Sequence, residues 1–221
     1  MSKHIGLVGV AILAVATSLA APTVGHAAIF GQVSTAYTLD KGAMDMGGFV
    51  SAFEGSALVF GQYRRGIVSN IDFGVQGGFV DPEAGDIGLA IGGDVKFLIM
   101  KTGADTPFDL ALDPRFSYMN FDALTITSFG GSVVISRDYA VSQGSLAPYG
   151  ALNLRLENAD IDEGELGEPL TVVAANGDSN TDFEISGIAG VRWDVSELLD
   201  ILGEVVFDRD IGFTIGLNFK L

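Results

Sequence analysis

Residues Phe108–Met119 read FDLALDPRFSYM. Phe108, Leu110, Leu112, Pro114, Phe116 and Tyr118 fall on one side of this run, and Asp109, Ala111, Asp113, Arg115 and Ser117 on the other. A β-strand sends successive side chains to opposite faces, so the segment reads as a strand with one greasy face and one ionic face. Pro114 has no N–H to give a ladder and predicts a bulge or an irregular stretch at that point.

The same split recurs on both sides of this segment. Ile71, Phe73, Val75 and Phe79 oppose Asp72 and Gln76; Leu89, Ile91, Val95, Phe97 and Ile99 oppose Asp94 and Lys96. Further on, Leu152, Leu154 and Leu156 alternate with Asn153, Arg155 and Glu157, and Ile185, Val191 and Trp193 with Glu184, Arg192 and Asp194. Ten strands are expected by this reading: 29–39, 55–65, 71–80, 87–100, 108–119, 124–138, 146–157, 183–194, 201–208 and 211–221, with eight or twelve left open. A soluble sandwich also alternates, its apolar faces sharing one core. Two features favour the inverted arrangement, an antiparallel up-and-down transmembrane β-barrel with its apolar face outward. The strands exceed the ~5–6 residues usual in soluble sheets and match the ~9–11 needed to cross a bilayer. Aromatic residues also gather near strand ends, Tyr63, Phe108 and Trp193 at one boundary and Phe79, Tyr118 and Phe213 at the other, where interfacial girdles sit. Short turns at Gly66–Asn70, Lys101–Pro107 and Val195–Asp200 are expected on the periplasmic side, and the longer connections Asp40–Glu54 and Asn158–Asp182 outside.

The start of the chain reads as an export signal, residues 1–27, followed by a barrel domain, 28–221. Lys3 precedes the apolar run IGLVGVAILAVATSLA (Ile5–Ala20), Pro22 breaks it, and Gly25-His26-Ala27 offers small residues for cleavage. All 28 acidic residues follow the signal, as do all the basic residues except Lys3, and the whole chain carries a net charge of −16. Nucleic acid is thereby excluded as an expected partner. The chain has no Cys, and both of its histidines, His4 and His26, lie within residues 1–27. A processed chain would lack thiol and imidazole chemistry altogether, so no enzyme activity and no cofactor are expected.

An export signal followed by the closing strand GFTIGLNFKL (Gly212–Leu221) resembles the small bacterial outer-membrane β-barrel proteins. Such proteins end in an amphipathic strand with a terminal aromatic; here Leu221 is terminal and Phe219 precedes it on the same face. The resemblance implies residence in the outer membrane, contact with outer-membrane lipid and recognition by the barrel assembly machinery. It names no subfamily and implies no activity.

Two places are left for function. The inward face would carry Arg64, Asp72, Asp94, Lys96, Asp109, Asp113 and Arg115 on the first half of the barrel. Asn153, Arg155, Glu157, Glu184, Arg192 and Glu204 would continue it on the second. A polar pore and a set of mutually paired charges filling a narrow lumen are both consistent with this face. Asp109 and Asp113, four apart on one strand, lie ~13 Å apart at ~3.3 Å per residue, too far for a paired-carboxylate site. The second place is the acidic stretch 158–182, where Asp160, Asp162, Glu163 and Glu165 make a weak Ca²⁺ candidate whose spacing fails the EF-hand pattern. The expected function is accordingly structural or small-solute passage of a porin-like kind. The alternative is a surface interaction protein whose barrel anchors that acidic loop, its external partner unknown.

Overall fold

The computed structural model describes residues 30–53, 55–82, 87–121, 124–161 and 180–221. They form an all-β structure with eleven strands: β1 (Met44–Phe53), β2 (Ser56–Val68), β3 (Ile71–Pro82), β4 (Gly88–Met100), β5 (Asp109–Phe121), β6 (Leu124–Ser136), β7 (Tyr139–Ala140), β8 (Ser145–Ile161), β9 (Asn180–Asp194), β10 (Leu199–Phe207) and β11 (Ile211–Lys220). Ten of these close a barrel. Each long strand pairs antiparallel with its neighbours in the chain, β6 pairs β8, and β1 pairs β11 to complete the ring. The two-residue β7 only extends β8 at one rim.

All strands obey one rule. Odd residues of β1 such as Phe49 and Ser51 are buried inside, while Val50 points out. Large apolar side chains are exposed around the whole circumference, among them Val59, Phe79, Phe129, Leu152, Ile185, Phe213 and Ile215. An apolar belt that wide has no counterpart on a water-soluble monomer, whose largest patches reach only ~300–600 Å². It is the surface of a barrel solvated by lipid. Trp193, 36% exposed at the rim where the C-terminus lies, donates its indole N–H to the Gln143 carbonyl at 3.1 Å, an interfacial anchor with one wet end.

One expectation is corrected. The first strand is not 29–39 but Met44–Phe53, so most of the stretch 40–54 is strand and not an outward loop. Met46 and Val50 give β1 its lipid face, and Asp45, Phe49 and Ser51 its inner one. Residues 30–39 offer no comparable face. Gln32, Ser34, Thr35 and Thr38 are interleaved with Phe30, Val33 and Ala36, and all are buried, a pattern that suits a segment enclosed by protein on every side. The turn at 40–43 lies at the same mouth as the C-terminus, since the Leu221 N–H bonds the Met44 carbonyl at 2.8 Å. At Pro114 the strand is irregular, as expected, though not bulged. The β4–β5 ladder runs to Asp94↔Arg115 and resumes at Phe97↔Leu112, so the missing N–H interrupts pairing, but the register shift itself lies farther on, between Leu98 and Met100.

Closure demands small residues where walls approach. A Cβ on Gly130 would stand 2.2 Å from the Leu154 carbonyl oxygen and 2.7 Å from the Arg155 Cα, both backbone atoms of β8. A Cβ on Gly48 would meet nothing within 4 Å. Gly130→Val is therefore expected to part β6 from β8 and to lower sharply the yield of the compact, heat-modifiable form on refolding into detergent, with Gly48→Ala refolding normally. Equal yields would show that the two strands have room to spare.

Candidate functional site

The lumen is the candidate site, and a piece of the chain itself runs through it. Residues 30–39 enter from the mouth that holds the C-terminus. Their entry is fixed by a turn in which the Gly42 N–H bonds the Gly66 carbonyl at 2.9 Å and the Gly66 N–H bonds the Ala43 carbonyl at 3.0 Å. Gly66 must be glycine for this, because a Cβ there would sit 2.0 Å from the Asp40 carbonyl oxygen. Gly42 takes the left-handed conformation at φ +85°. Ten residues span at most ~33 Å at ~3.3 Å each, comparable with the ~30 Å bilayer core.

The wall grips this segment largely through its backbone. The Leu39 N–H donates to Asp72 at 2.9 Å, the Val33 N–H to Glu204 at 2.9 Å, and the Ala36 N–H to the Ser136 hydroxyl at 3.1 Å. Lys96 donates to the Thr35 carbonyl at 2.9 Å, and Arg115 to the Gly31 carbonyl at 3.3 Å and to the Gln32 side chain at 2.8 Å. Gln32 in turn donates to Asp113 at 2.7 Å, and Arg192 donates to the Thr35 hydroxyl at 3.1 Å. Buried backbone groups must be paired, and here wall side chains do what a neighbouring strand would otherwise do.

Behind these contacts lie ion networks. On β2–β4, Arg64 bridges Asp72 and Asp94, Lys96 stands 3.8 Å from Asp72, and Gln76 donates to Asp94 at 2.7 Å. On β5, Arg115 pairs Asp113 at 2.8 Å. Toward the far mouth, Arg155 pairs Glu157 at 3.0 Å and Asp208 at 2.8 Å, and Arg209 pairs Glu184. Asn153 donates to Ser186 at 3.3 Å. At the terminal mouth Arg192 pairs Asp194 at 3.0 Å and Asp138 at 3.3 Å, and Asp109 accepts the Thr102 N–H at 2.6 Å. Glu204 also accepts the Tyr149 hydroxyl at 2.9 Å. Asp109 and Asp113 thus serve different partners, and each inward charge named from sequence has a protein partner, Asp72 and Asp94 sharing Arg64. Asp113 Oδ1, Glu204 Oε1 and the Nε atoms of Arg64 and Arg115 are buried without a hydrogen bond.

Sequence reasoning missed the segment and the apolar collar it completes. Phe49, Leu58, Phe60, Val80, Ala90, Ile126 and Leu202 point inward and cluster with Phe30 and Val33. Phe30 meets Phe60 edge-on at 5.1 Å, and Phe60 stacks on Phe49 at 5.1 Å. Gly92 makes room, since a Cβ there would lie 2.8 Å from the Phe30 ring. Two small cavities lie beside the segment, one of about 20 Å³ lined by Phe30, Gln76, Arg115 and Arg155, and one of about 30 Å³ lined by Tyr37, Arg64 and Arg192. Each holds a water or two at ~10–15 Å³ apiece. Of the weak Ca²⁺ candidate, Asp160 is exposed at the end of β8 and accepts from Asn158 at 3.0 Å, while Asp162, Glu163 and Glu165 lie outside the described residues, as does the export signal.

No family model matches the chain, and no curated protein matches it. Solved structures similar to it include the N-terminal β-barrel domain of Pseudomonas aeruginosa OprF, at 9% identity and TM-score 0.39 over 83% of this chain and all of that one. The KdgM porin in complex with disordered oligogalacturonate gives 8% and 0.40 over 79% of this chain and 98% of that one. LpxR from Salmonella typhimurium gives 10% and 0.42 over 74% and 73%. At these scores the likenesses say nothing about activity.

Proposed function

We propose that the protein resides in the outer membrane as a barrel closed at rest by its own residues 30–39, a structural element of that membrane and not an open pore. The occupied lumen carries the reading. A bent chain, with Val33 at φ +38°, lies where a solute would pass, the two lumen cavities described are water-sized, and the collar around Phe30 is apolar. Ten strands sit near the size at which side chains alone fill a barrel, and a threaded segment takes what room remains. The apolar belt supports a place in lipid, and the export signal read from residues 1–27 supports the outer membrane over the inner one, because a strand-built barrel needs transit through the periplasm. The inward charges support a non-catalytic role, since each has a partner within the protein.

Planar-bilayer recording of the purified full-length protein tests this. Silence at moderate voltage is expected. Steady conductance from protein that shows folded, heat-modifiable mobility would overturn the closed reading.

A further inference from the structure

We infer that residues 30–39 are a removable stopper and that the lumen they occupy is a cation-selective passage. The inference rests on the closed-barrel reading and goes beyond it. Four observations carry it.

First, the wall does not need the segment. All ten strands find both ladder partners among themselves, and no residue of 30–39 joins a ladder. Removing a strand from a barrel would open an edge; removing this segment opens none. Second, the vacated space has the bore of a polypeptide. Residues 30–39 are bent at Val33 and carry side chains as large as Phe30, Gln32 and Tyr37. A chain of that bulk occupies a cross-section on the order of the ~10 Å between packed sheets, room enough for a file of ions with water. Third, the segment closes the collar itself. Phe30 and Val33 belong to the apolar cluster, so withdrawal removes the ring seated against Phe60 together with the polar stopper. Entry at the terminal mouth, on the fixed turn at Gly42 and Gly66, gives withdrawal one direction.

The fourth observation is the charge of the exposed wall. Among the described residues eight buried acids stand against three buried bases and two part-buried inward ones, Arg115 and Arg192. Asp72, Asp113 and Glu204 now accept from Leu39, Gln32 and Val33. Once the segment leaves, these carboxylates lose those donors and face the bore, as do Lys96, Arg115 and Arg192, which lose their acceptors on Gly31, Gln32 and Thr35. The excess of acids over bases along the whole wall sets the sign of the field. Rings of carboxylates select cations, and a low-dielectric wall strengthens the effect.

The test compares three forms of the full chain in planar bilayers under an asymmetric potassium chloride gradient: unaltered, lacking residues 30–38, and Gly31→Leu. A Cβ on Gly31 would stand 1.5 Å from the Glu204 carboxylate, which Val33 and Tyr149 hold in place, so a leucine there blocks seating and leaves every strand intact. Both variants are expected to show discrete openings absent from the unaltered protein, with a reversal potential displaced toward that of potassium. A synthetic peptide spanning Phe30–Leu39, added on the side of the terminal mouth, is expected to close the deletion variant. Silence in both variants, with folded mobility, would overturn the inference and leave the closed reading standing. Openings without cation preference would overturn the passage as stated. Failure of both variants to fold would show the segment to be core and not stopper. Steady conduction by the unaltered protein would remove both readings together.

Discussion

Arg64→Met is expected to lower the unfolding free energy by about 3–5 kcal/mol, the usual cost of removing one partner from a buried ion pair. Arg64 is 3% exposed and sits between Asp72 and Asp94, both buried. Its loss leaves two carboxylates facing one another, with Lys96, 3.8 Å from Asp72, the Leu39 N–H, 2.9 Å from Asp72, and Gln76, 2.7 Å from Asp94, as the remaining donors. A methionine fills the space of the alkyl stem and supplies no charge. The damage reaches the lumen segment, because the Leu39 N–H bonds the same Asp72. Arg209→Met is the control. Arg209 is 41% exposed at the far mouth and pairs Glu184 there, so its replacement should cost no more than ~1 kcal/mol. Urea unfolding from phospholipid vesicles, followed by the fluorescence of Trp193, the single tryptophan, measures both. Arg64→Met combined with Asp72→Asn and Asp94→Asn should recover much of the loss, since the charges left behind cause most of it. Equal stabilities for Arg64→Met and Arg209→Met would mean the network is hydrated and contributes little.

Parity along a strand was readable wherever one face met lipid. The segment 108–119 shows why: Leu112 and Phe116 face outward and Asp109 and Asp113 inward, because a slip of one residue would put carboxylates in the bilayer. The ten-strand count came out right through two errors that offset each other, 29–39 counted as a strand and 44–53 counted as a loop. Residues 30–39 mislead because a segment enclosed on all sides has no face to conserve. Its mixture of Phe30, Gln32, Val33 and Thr35 looks like a weak strand when only period two is tested. The opposite clue was present, since neither parity of 30–39 is free of polar side chains whereas 46, 48, 50 and 52 are all apolar or glycine. Partner identity was not legible at all. Arg64 meets Asp72 across a hairpin, but Glu204 meets Val33 from 171 residues away, through a register and a threading that no local pattern encodes. The inward apolar collar was hidden by the same logic, because parity assigns a side chain to the lumen without saying that Phe49 and Phe60 stack there.

Ile215→Arg is expected to destabilise the barrel in phospholipid vesicles by about 2–4 kcal/mol, and Leu198→Arg by no more than ~1 kcal/mol. The two residues are almost equally exposed, 64% and 66%, so burial within the protein predicts no difference between them. Depth does. Ile215 lies midway along β11, beside Val50 on one neighbouring strand and Gly203 on the other, inside the apolar belt. Leu198 lies in the turn before β10, at the mouth that carries the C-terminus, where an arginine reaches water or headgroups. A guanidinium at mid-depth must stay among hydrocarbon or pull water and headgroups inward, and either costs free energy. Had the belt faced water, as in a soluble sandwich, both substitutions would fall within ~0.5 kcal/mol of neutral, because an exposed surface position far from any cap or core contact tolerates a charge. The difference between the two variants, measured under one set of conditions, thus reads the solvent of the outer face directly. A difference near zero would take the barrel out of the membrane and leave its polar, threaded lumen as the interior of a soluble protein.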